Sequence, residues 1–359
     1  MNNDLIDIAK AFPVVSDKIQ QIIPFGSGHI NDTYKLELES GTYVLQRINH
    51  HIFKDVPALT ANIIKVTDFI ARKIEASGSG MKIPRFYPVQ DGRYFHRDAS
   101  GNYWRLMSFI KDSRSYDLVP NDDIAYQGGK AYGWFVNSLS DFPATELAET
   151  IKNFHDIDFR LEIFSTAIKN NIAQRVETAE EEIAFVQKRA PEMRVILELG
   201  KAGKIPLRVT HNDTKINNVL FDAGNRPVSV IDLDTVMPGY VHYDFGDAIR
   251  TFTNTANEDE PDLSKVGINM AYFKAFAGGF LSETRQVLTP VEIEHLAFSA
   301  KLMTYIIGLR FLTDFLNGDT YFKTRYDTHN LVRARNQFRL LASMEKHFDE
   351  MQKVIANAR

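Results

Sequence analysis

The sequence predicts an α+β protein with two lobes, a small first lobe built on an antiparallel sheet and a larger second lobe that is mainly helical. Three observations support this. Residues 19–48 contain short apolar runs separated by tight turns, the pattern of an antiparallel meander. Later segments carry apolar residues at helical spacing, for example Ala334, Phe338 and Leu341. A chain of 359 residues is long enough for two lobes that each bury a core.

The first lobe is predicted to span residues 1–110 and the second residues 111–359. The boundary is placed where an apolar strand runs into the polar segment KDSRSYD. The elements predicted for the first lobe are a helix over 4–12, three strands within 19–48, a helix over 56–76 and a strand over 103–110. In the second lobe, helices are predicted over 122–139, 145–155, near 171–199, and over 263–283, 290–316 and 330–357.

Composition limits the classes of protein that fit. Hydrophobic residues make up 44% and charged residues 25%, as in an ordinary soluble globular protein. The net charge of −4 argues against nucleic acid or an anionic membrane as the main partner. The absence of cysteine excludes disulfides, thiolate zinc sites and cysteine nucleophiles. We see no signal peptide and no membrane-length apolar run, so we expect a cytoplasmic protein, with no obligate protein partner implied.

Residues 207–247 interrupt the helical part of the chain and carry most of its candidate chemistry. Two short apolar runs, Leu207–Val209 and Val228–Ile231, each end in a cluster of Asp and Asn residues. Such runs are typical of buried strands that deliver carboxylates to a cleft. The alternative is a polar loop in which Asp and Asn serve turn chemistry.

The spacing of the polar residues favours a phosphoryl-transfer site. His211, Asp213 and Asn218 form the pattern H-x-D-x-x-x-x-N, and Asp232 follows the next strand. In such sites one Asp acts as base, while an Asn and a second Asp hold magnesium, which prefers hard oxygen ligands.

A glycine turn in the first lobe could complete that site. Gly26 and Gly28 lie between the first two predicted strands and would let backbone N–H groups approach phosphate closely. By itself the turn could be only a hairpin. Together with the carboxylates it indicates a kinase-like arrangement, with a nucleotide expected between the two lobes.

Arg310 is the only charged residue in the segment LMTYIIGLRFLT, from Leu302 to Thr313. A helix that is apolar nearly all round is buried, and a buried charge needs a polar or anionic partner. One interpretation is an ion pair with Asp244 or Asp247. The other is a guanidinium fork that holds substrate oxygens.

The pattern of His211, Asp213, Asn218 and Asp232 resembles the aminoglycoside phosphotransferase and choline kinase superfamily of small-molecule kinases. The segments GSGHINDTY, SRSYDLVPN, GLRFLTDFLNGDTYF and HNLVRARNQ are more specifically similar to N-acetylhexosamine 1-kinases within it. The resemblance covers nearly the whole chain. It implies a protein-kinase-like fold and magnesium-dependent transfer of the ATP γ-phosphate to the anomeric hydroxyl of N-acetylglucosamine or N-acetylgalactosamine. The alternative is a kinase of the same fold for another small alcohol, such as another sugar, choline, homoserine or an aminoglycoside.

Carried over by motif, the resemblance also implies roles for individual residues. The expected base is Asp213 and the expected magnesium ligands are Asn218 and Asp232. The residues expected to bind nucleotide are Gly26, Ser27, Gly28, Phe109 and Ile110, and those expected to bind the sugar are His29, Asn212, Arg310 and Tyr321.

Two positions carry alternatives. Asp234 is expected to orient Asn218 or a metal-bound water, or else to cap the following turn. The position of the phosphate-binding lysine of general kinases corresponds to about Gln46, with Arg47 beside it. The sequence therefore leaves open which group pairs with the phosphates of the nucleotide. A nucleotide-binding protein without catalysis is a further alternative, against which the presence of Asp213, Asn218 and Asp232 together argues.

Overall fold

The longer strands all lie in the early part of the chain, and helices dominate the rest, as the sequence predicts. The computed structural model describes residues 3–26 and 30–358. Up to residue 108 the elements are α1 (Asn3–Lys10), β1 (Ile19–Pro24), β2 (Asp32–Leu38), β3 (Thr42–Ile48), α2 (Val56–Ser77), β4 (Phe86–Tyr87), β5 (His96–Arg97) and β6 (Tyr103–Ser108). They are followed by α3 (Asp122–Ser138), α4 (Ile157–Asn170), α5 (Glu180–Arg189), α6 (Val195–Lys201), β7 (Arg208–Thr210), β8 (Val219–Phe221), β9 (Pro227–Val230), β10 (Met237–Gly239), α7 (Val241–Phe252), α8 (Met270–Thr284), α9 (Pro290–Glu294), α10 (Leu296–Leu316), α11 (His329–Lys346) and α12 (Phe348–Asn357).

The chain divides into two compact units. The first unit comprises residues 1–114, 145–152 and 220–237, and the second comprises 115–144, 153–219 and 238–359. The predicted boundary after residue 110 lies close to residue 114. The prediction of two continuous segments did not include the two later pieces of the first unit, one of which contains Asp232.

An antiparallel sheet forms the centre of the first unit. Its strand order is β1-β2-β3-β6-β4, with β5 paired to β6. Alternate residues of the strands point into a core that includes Leu36, Leu45, Leu106 and Phe12 of the segment after α1. The register pairs Thr33 of β2 with Gln46 of β3, and Gln46 with Arg105 of β6. A row of three polar residues therefore crosses three strands of the sheet.

Helix α2 has the boundaries that its sequence predicts. The side chain of Asp55 accepts a hydrogen bond from the Ala58 N–H, which caps the first turn. The helix ends where Gly78 adopts a left-handed conformation and donates its N–H to the Ile74 carbonyl. Its buried stripe runs along Leu59, Ile63, Val66 and Ile70.

Helix α10 is the core of the second unit. All of its residues except Arg310 are buried. By length and composition it could cross a membrane, which differs from the sequence expectation, yet 89% of its most apolar window is buried inside the protein. It is therefore a core helix of the kind that is apolar nearly all round.

One predicted helix of the second lobe is wrong, and others are interrupted. Over 145–155 the chain forms only a 3-10 turn, Ala144–Glu146, and the Ala148 backbone instead bonds the Asn62 side chain. The expected long helix near 171–199 is two helices, α5 and α6, with a 3-10 turn between them that begins after Pro191, which has no N–H to donate. The helix predicted over 330–357 is divided at His347.

Helices α3 and α8 pack with their backbones in close approach, which requires glycine. A Cβ at Gly279 would lie 2.0 Å from the carbonyl oxygen of Tyr126, and one at Gly129 would lie 2.2 Å from that of Phe276. The neighbouring Gly278 has room, since a Cβ there would meet only a Tyr126 ring atom at 3.7 Å.

This contrast gives a matched pair of variants. Gly279→Ala is expected to lower the free energy of unfolding by about 1–3 kcal/mol or more, because the two helices must separate. Gly278→Ala is expected to be neutral or to stabilise by up to about 1 kcal/mol through helix propensity. Thermal and urea unfolding of both variants measure the difference. Equal stability of the two would contradict the proposed tight contact.

Candidate active site

The loop that follows β7 is held in place by carboxylates of α7. The backbone N–H groups of His211 and Asn212 donate to the carboxylate of Asp244 at 2.8 and 2.7 Å. The Thr214 N–H donates to Asp247 at 3.0 Å. Asn212 has a left-handed φ of +62°, a conformation that persists only where its surroundings fix it. These contacts make the loop after β7 a rigid platform.

The two carboxylates that support this loop, Asp244 and Asp247, have pKa values shifted in opposite directions. Burial raises the pKa of Asp244 to about 6, although His211 and the backbone donors oppose that shift. Burial also acts to raise the pKa of Asp247, but the buried Arg250 guanidinium, 2.8 Å away, outweighs it and holds the pKa below its ordinary value. Asp247 is therefore an anion that is already paired.

Asp213 presents a partly exposed carboxylate next to a cation that the sequence analysis missed. The Lys215 ammonium lies 2.9 Å from Asp213 Oδ2, and the side chains are 39% and 27% exposed respectively. The sequence signal was available, because Lys215 stands two positions after Asp213 in HNDTK. A cation at this point could meet a negatively charged group that approaches Asp213.

Asn218 is fixed by Asp213 in a way that leaves its oxygen for another partner. Its Nδ2 donates to the Asp213 carbonyl oxygen at 2.9 Å and to Asp213 Oδ2 at 3.3 Å. The amide oxygen points away from these acceptors by the geometry of the group. The structure thus brings Asn218 and Asp213 together, as predicted.

Asp232 lies in the first unit at the end of β9. It has a left-handed φ of +62° and precedes a 3-10 turn, Leu233–Thr235, without capping it through its side chain. Its carboxylate and the Asn218 amide oxygen are the hard oxygen donors that magnesium takes. The donor chemistry of these two residues therefore fits the metal that the sequence implies.

Asp234 binds residues of the first unit through its carboxylate rather than capping the turn, and its predicted part in orienting Asn218 or a metal-bound water stays a prediction. It is 3% exposed, and its carboxylate forms an ion pair with the buried Arg105. Its second oxygen accepts a hydrogen bond from Asn31 Nδ2 at 2.6 Å. Asp234 instead ties the Asp232 loop to the sheet of the first unit.

The predicted nucleotide turn is described only in part. Gly26 has a φ of +82°, and the Phe25 N–H closes the hairpin on the Thr33 carbonyl at 2.9 Å. Ser27, Gly28 and His29 lie outside the described residues, so their predicted roles stay predictions.

Phe109, another residue predicted to bind nucleotide, packs against the start of this turn. Its ring meets the Phe25 ring edge to face, with 5.6 Å between centroids. The Lys35 ammonium lies 5.4 Å from the Phe109 ring centre. Ile110 is nearly buried, and its carbonyl accepts a hydrogen bond from Ser113 at 2.7 Å. The structure therefore groups Phe109 with the glycine turn.

Arg310 faces an aromatic box. Its guanidinium carbon lies 4.9, 5.6 and 5.5 Å from the ring centres of Phe154, Tyr321 and Phe322. Its Nη2 donates to the Tyr321 hydroxyl at 3.3 Å. Two predicted substrate residues, Arg310 and Tyr321, are thus together.

The ion-pair interpretation of Arg310 is wrong. Asp247 pairs with Arg250, and Asp244 accepts the backbone donors of the loop after β7. No carboxylate among the described residues forms an ion pair with Arg310.

Two further groups lie beside Arg310, and one of them, Arg160, adds a second positive charge to this part of the second unit. Burial and the Arg310 charge lower the pKa of Arg160 to about 10 and that of His155 to about 3, so His155 is neutral. The Asn212 backbone lies next to the His155 ring, but neither ring nitrogen reaches hydrogen-bond geometry. Sequence reasoning missed both residues, because nothing in ETIKNFHDIDFR marks them apart from ordinary polar positions.

The fold and these loops define a class. A strand-rich unit with a glycine turn, and a helical unit that presents Asp213 and Asn218 on one loop, form a protein-kinase-like fold. Residues 21–271 match the model of the phosphotransferase enzyme family, APH. The chain belongs to this family and is a small-molecule phosphotransferase.

Solved structures share the fold over nearly the whole chain. An aminoglycoside phosphotransferase from Alicyclobacillus acidocaldarius superposes with a TM-score of 0.59 at 12% identity, covering 95% of this chain and 96% of its own. A microcompartment-associated aminopropanol kinase gives 0.58 at 14%, covering 96% and 97%. Choline kinase from Cryptosporidium parvum gives 0.57 at 14%, covering 92% and 90%. At such identities the likeness concerns the fold.

Proposed function

We propose that this phosphotransferase uses ATP and magnesium to phosphorylate the anomeric hydroxyl of N-acetylglucosamine or N-acetylgalactosamine. The observation that carries the proposal is the environment of Arg310, which has no carboxylate partner among the described residues and lies beside Arg160 and Tyr321. An acetamido carbonyl, with its partial negative charge, matches a guanidinium donor, and the aromatic box offers apolar faces to a sugar ring and its methyl group.

The same environment disfavours the amine acceptors that the names of the structural neighbours suggest. Choline, ethanolamine, aminopropanol and aminoglycosides carry positive charge, and two arginines would repel a cation in a partly desolvated site. A choline site instead needs an aromatic cage with acidic support. Here the aromatic rings of Phe154, Tyr321 and Phe322 already surround a cation of the protein. A neutral acceptor with an amide group is the better chemical match.

In the proposed reaction Asp213 accepts the proton of the attacking hydroxyl and orients it toward the γ-phosphorus. Lys215 neutralises charge on the transferred group, and its contact with Asp213 keeps the carboxylate in place. Asn218 and Asp232 would hold magnesium, which when bound neutralises charge on the phosphates. Phosphoryl transfer asks little of the base and much of positioning, which suits a loop fixed by Asp244 and Asp247.

The position of phosphorylation tests the proposal directly. We expect both N-acetylhexosamines to give 1-phosphates, because a hemiacetal hydroxyl is more acidic than the other sugar hydroxyls. Their methyl glycosides should be inert, since the accepting hydroxyl is blocked. Phosphorus NMR should show coupling to the anomeric proton. A 6-phosphate product, turnover of a methyl glycoside, or preferred turnover of choline or ethanolamine in the same screen would overturn the proposed acceptor while leaving a phosphotransferase.

Arg310→Lys tests the acceptor site. Lysine keeps the charge but loses the planar fork, so we expect the KM for sugar to rise about tenfold or more, as for a lost charge-assisted hydrogen bond. The KM for ATP should stay nearly unchanged. Arg335→Lys is the control, because Arg335, a half-exposed arginine of α11 in the same unit, is paired with Glu182 of α5. A lower melting temperature with an unchanged sugar KM would assign Arg310 a purely structural role.

A further inference from the structure

A polar row, partly buried at Thr33 and Gln46 and buried at Arg105, crosses the sheet of the first unit. Gln46 Nε2 donates to Thr33 Oγ1 at 2.8 Å, and Arg105 Nε donates to Gln46 Oε1 at 2.9 Å. The strand register places these three residues opposite one another on β2, β3 and β6. Arg105 is 3% exposed and is the one buried basic side chain in the part of the first unit that the structure describes.

Arg105 continues this row into the loop that carries Asp232. Its Nη1 forms an ion pair with Asp234, and both side chains are 4% exposed. A buried ion pair contributes little net stability, because desolvation of the two charges offsets their attraction. A role in geometry, rather than in stability, would explain why this buried pair is present.

The same carboxylate also holds the exit of the glycine turn. Asn31 Nδ2 donates to Asp234 Oδ2 at 2.6 Å, while Asn31 Oδ1 accepts the Asn49 N–H at 2.9 Å. Asp234 thus joins three parts of the first unit: the turn exit, strand β6 and the 3-10 turn Leu233–Thr235. Asp232 stands immediately before that 3-10 turn.

We infer that Arg105 is a positioning residue, which acts through Asp234 to hold Asp232 in place for binding the magnesium–nucleotide complex. Asn31 links the same Asp234 carboxylate to the exit of the glycine turn. The inference rests on the proposed role of Asp232 as a magnesium ligand. Asp234 lies two residues after Asp232, and its buried ion pair with Arg105 restrains the loop that carries Asp232. Gln46, where a lysine would be expected, instead serves as a hydrogen-bond acceptor for Arg105.

A positioning role predicts that loss of Arg105 weakens ADP binding when magnesium is present and has little effect when it is absent. Without Arg105 the Asp234 carboxylate is buried and unpaired, so the loop must shift and carry Asp232 with it. Binding of ADP with magnesium should weaken about 10- to 100-fold, the range found when partners behind metal ligands are removed. Binding of ADP in EDTA should change little, because Asp232 acts on the metal.

Titration calorimetry of ADP, with and without magnesium, tests this in the full chain. Arg105→Gln is the first variant. The double variant Arg105→Met with Asp234→Leu removes both charges, so that neither is left buried alone and the fold is preserved. Arg93→Gln is the matched control, because it breaks an exposed Arg–Asp pair, with Asp91, in the same unit.

We expect both Arg105 variants to lose the enhancement by magnesium while Arg93→Gln keeps it. Equal losses with and without magnesium, or no loss in the double variant, would overturn the inference and leave Arg105 a structural residue. ADP binding requires no acceptor, so failure of the sugar assay would refute the proposed acceptor without affecting this test.

Discussion

Asp213→Asn is expected to lower kcat by about 100- to 10,000-fold, the contribution of a positioned general base. Asparagine keeps the size of the side chain but cannot accept the proton of the attacking hydroxyl. It also loses the ion pair with Lys215. Steady-state kinetics with the sugar acceptor, together with calorimetric binding of sugar and ADP, measure the effect.

Binding and folding should survive this substitution. Asp213 is partly exposed, and its backbone carbonyl, which holds Asn218, is unchanged in the variant. Asp222→Asn is the control, because Asp222 forms an i,i+4 ion pair with the exposed Arg226 and shapes the turn after β8. We expect wild-type turnover from it. A wild-type kcat in Asp213→Asn would show that Asp213 is not the base.

Local sequence signals predicted those parts of the fold that depend on nearby residues. The meander β1–β3 and helix α2 follow from alternation, capping and glycine positions within a few residues of each element. The pairing of Asp213 with Asn218 follows in the same way, because the two side chains lie on one short loop. The errors occur where tertiary contacts override a helical pattern, as in residues 145–155, whose backbone bonds Asn62.

The arrangement around Arg105 could not be predicted because its partner lies 129 positions away along the chain. A single arginine in the apolar strand YWRLMS was a visible signal of a buried charge, but it could not indicate Asp234. Arg310 gave the same kind of signal. There the expected carboxylates bind other groups, and the surroundings are rings and a second arginine.

Substitution of Asp232 is the second change for which we expect a large loss of activity. The backbone conformation of Asp232 determines which substitution is the better test. Asp232→Ala removes the proposed metal ligand, but it also places alanine at a φ of +62°, which is costly for a residue without a side chain that favours this conformation. Asp232→Asn separates the two effects, because asparagine tolerates the left-handed region and keeps the shape of the side chain. The charge that binds magnesium is lost in both variants.

We therefore expect Asp232→Asn to melt near the wild-type temperature and to lose activity by about 1,000-fold at ordinary magnesium concentrations, since metal clamps on a transferring phosphoryl group supply several kcal/mol. Asp232→Ala should lose at least as much activity and also melt lower. Raising magnesium, or replacing it by manganese, should restore part of the activity of the Asn variant, because the remaining amide oxygen still binds a cation weakly. Full activity of Asp232→Asn at ordinary magnesium would refute the metal role. If the two variants lose the same activity and no metal concentration restores it, Asp232 instead serves to maintain the backbone geometry of its loop.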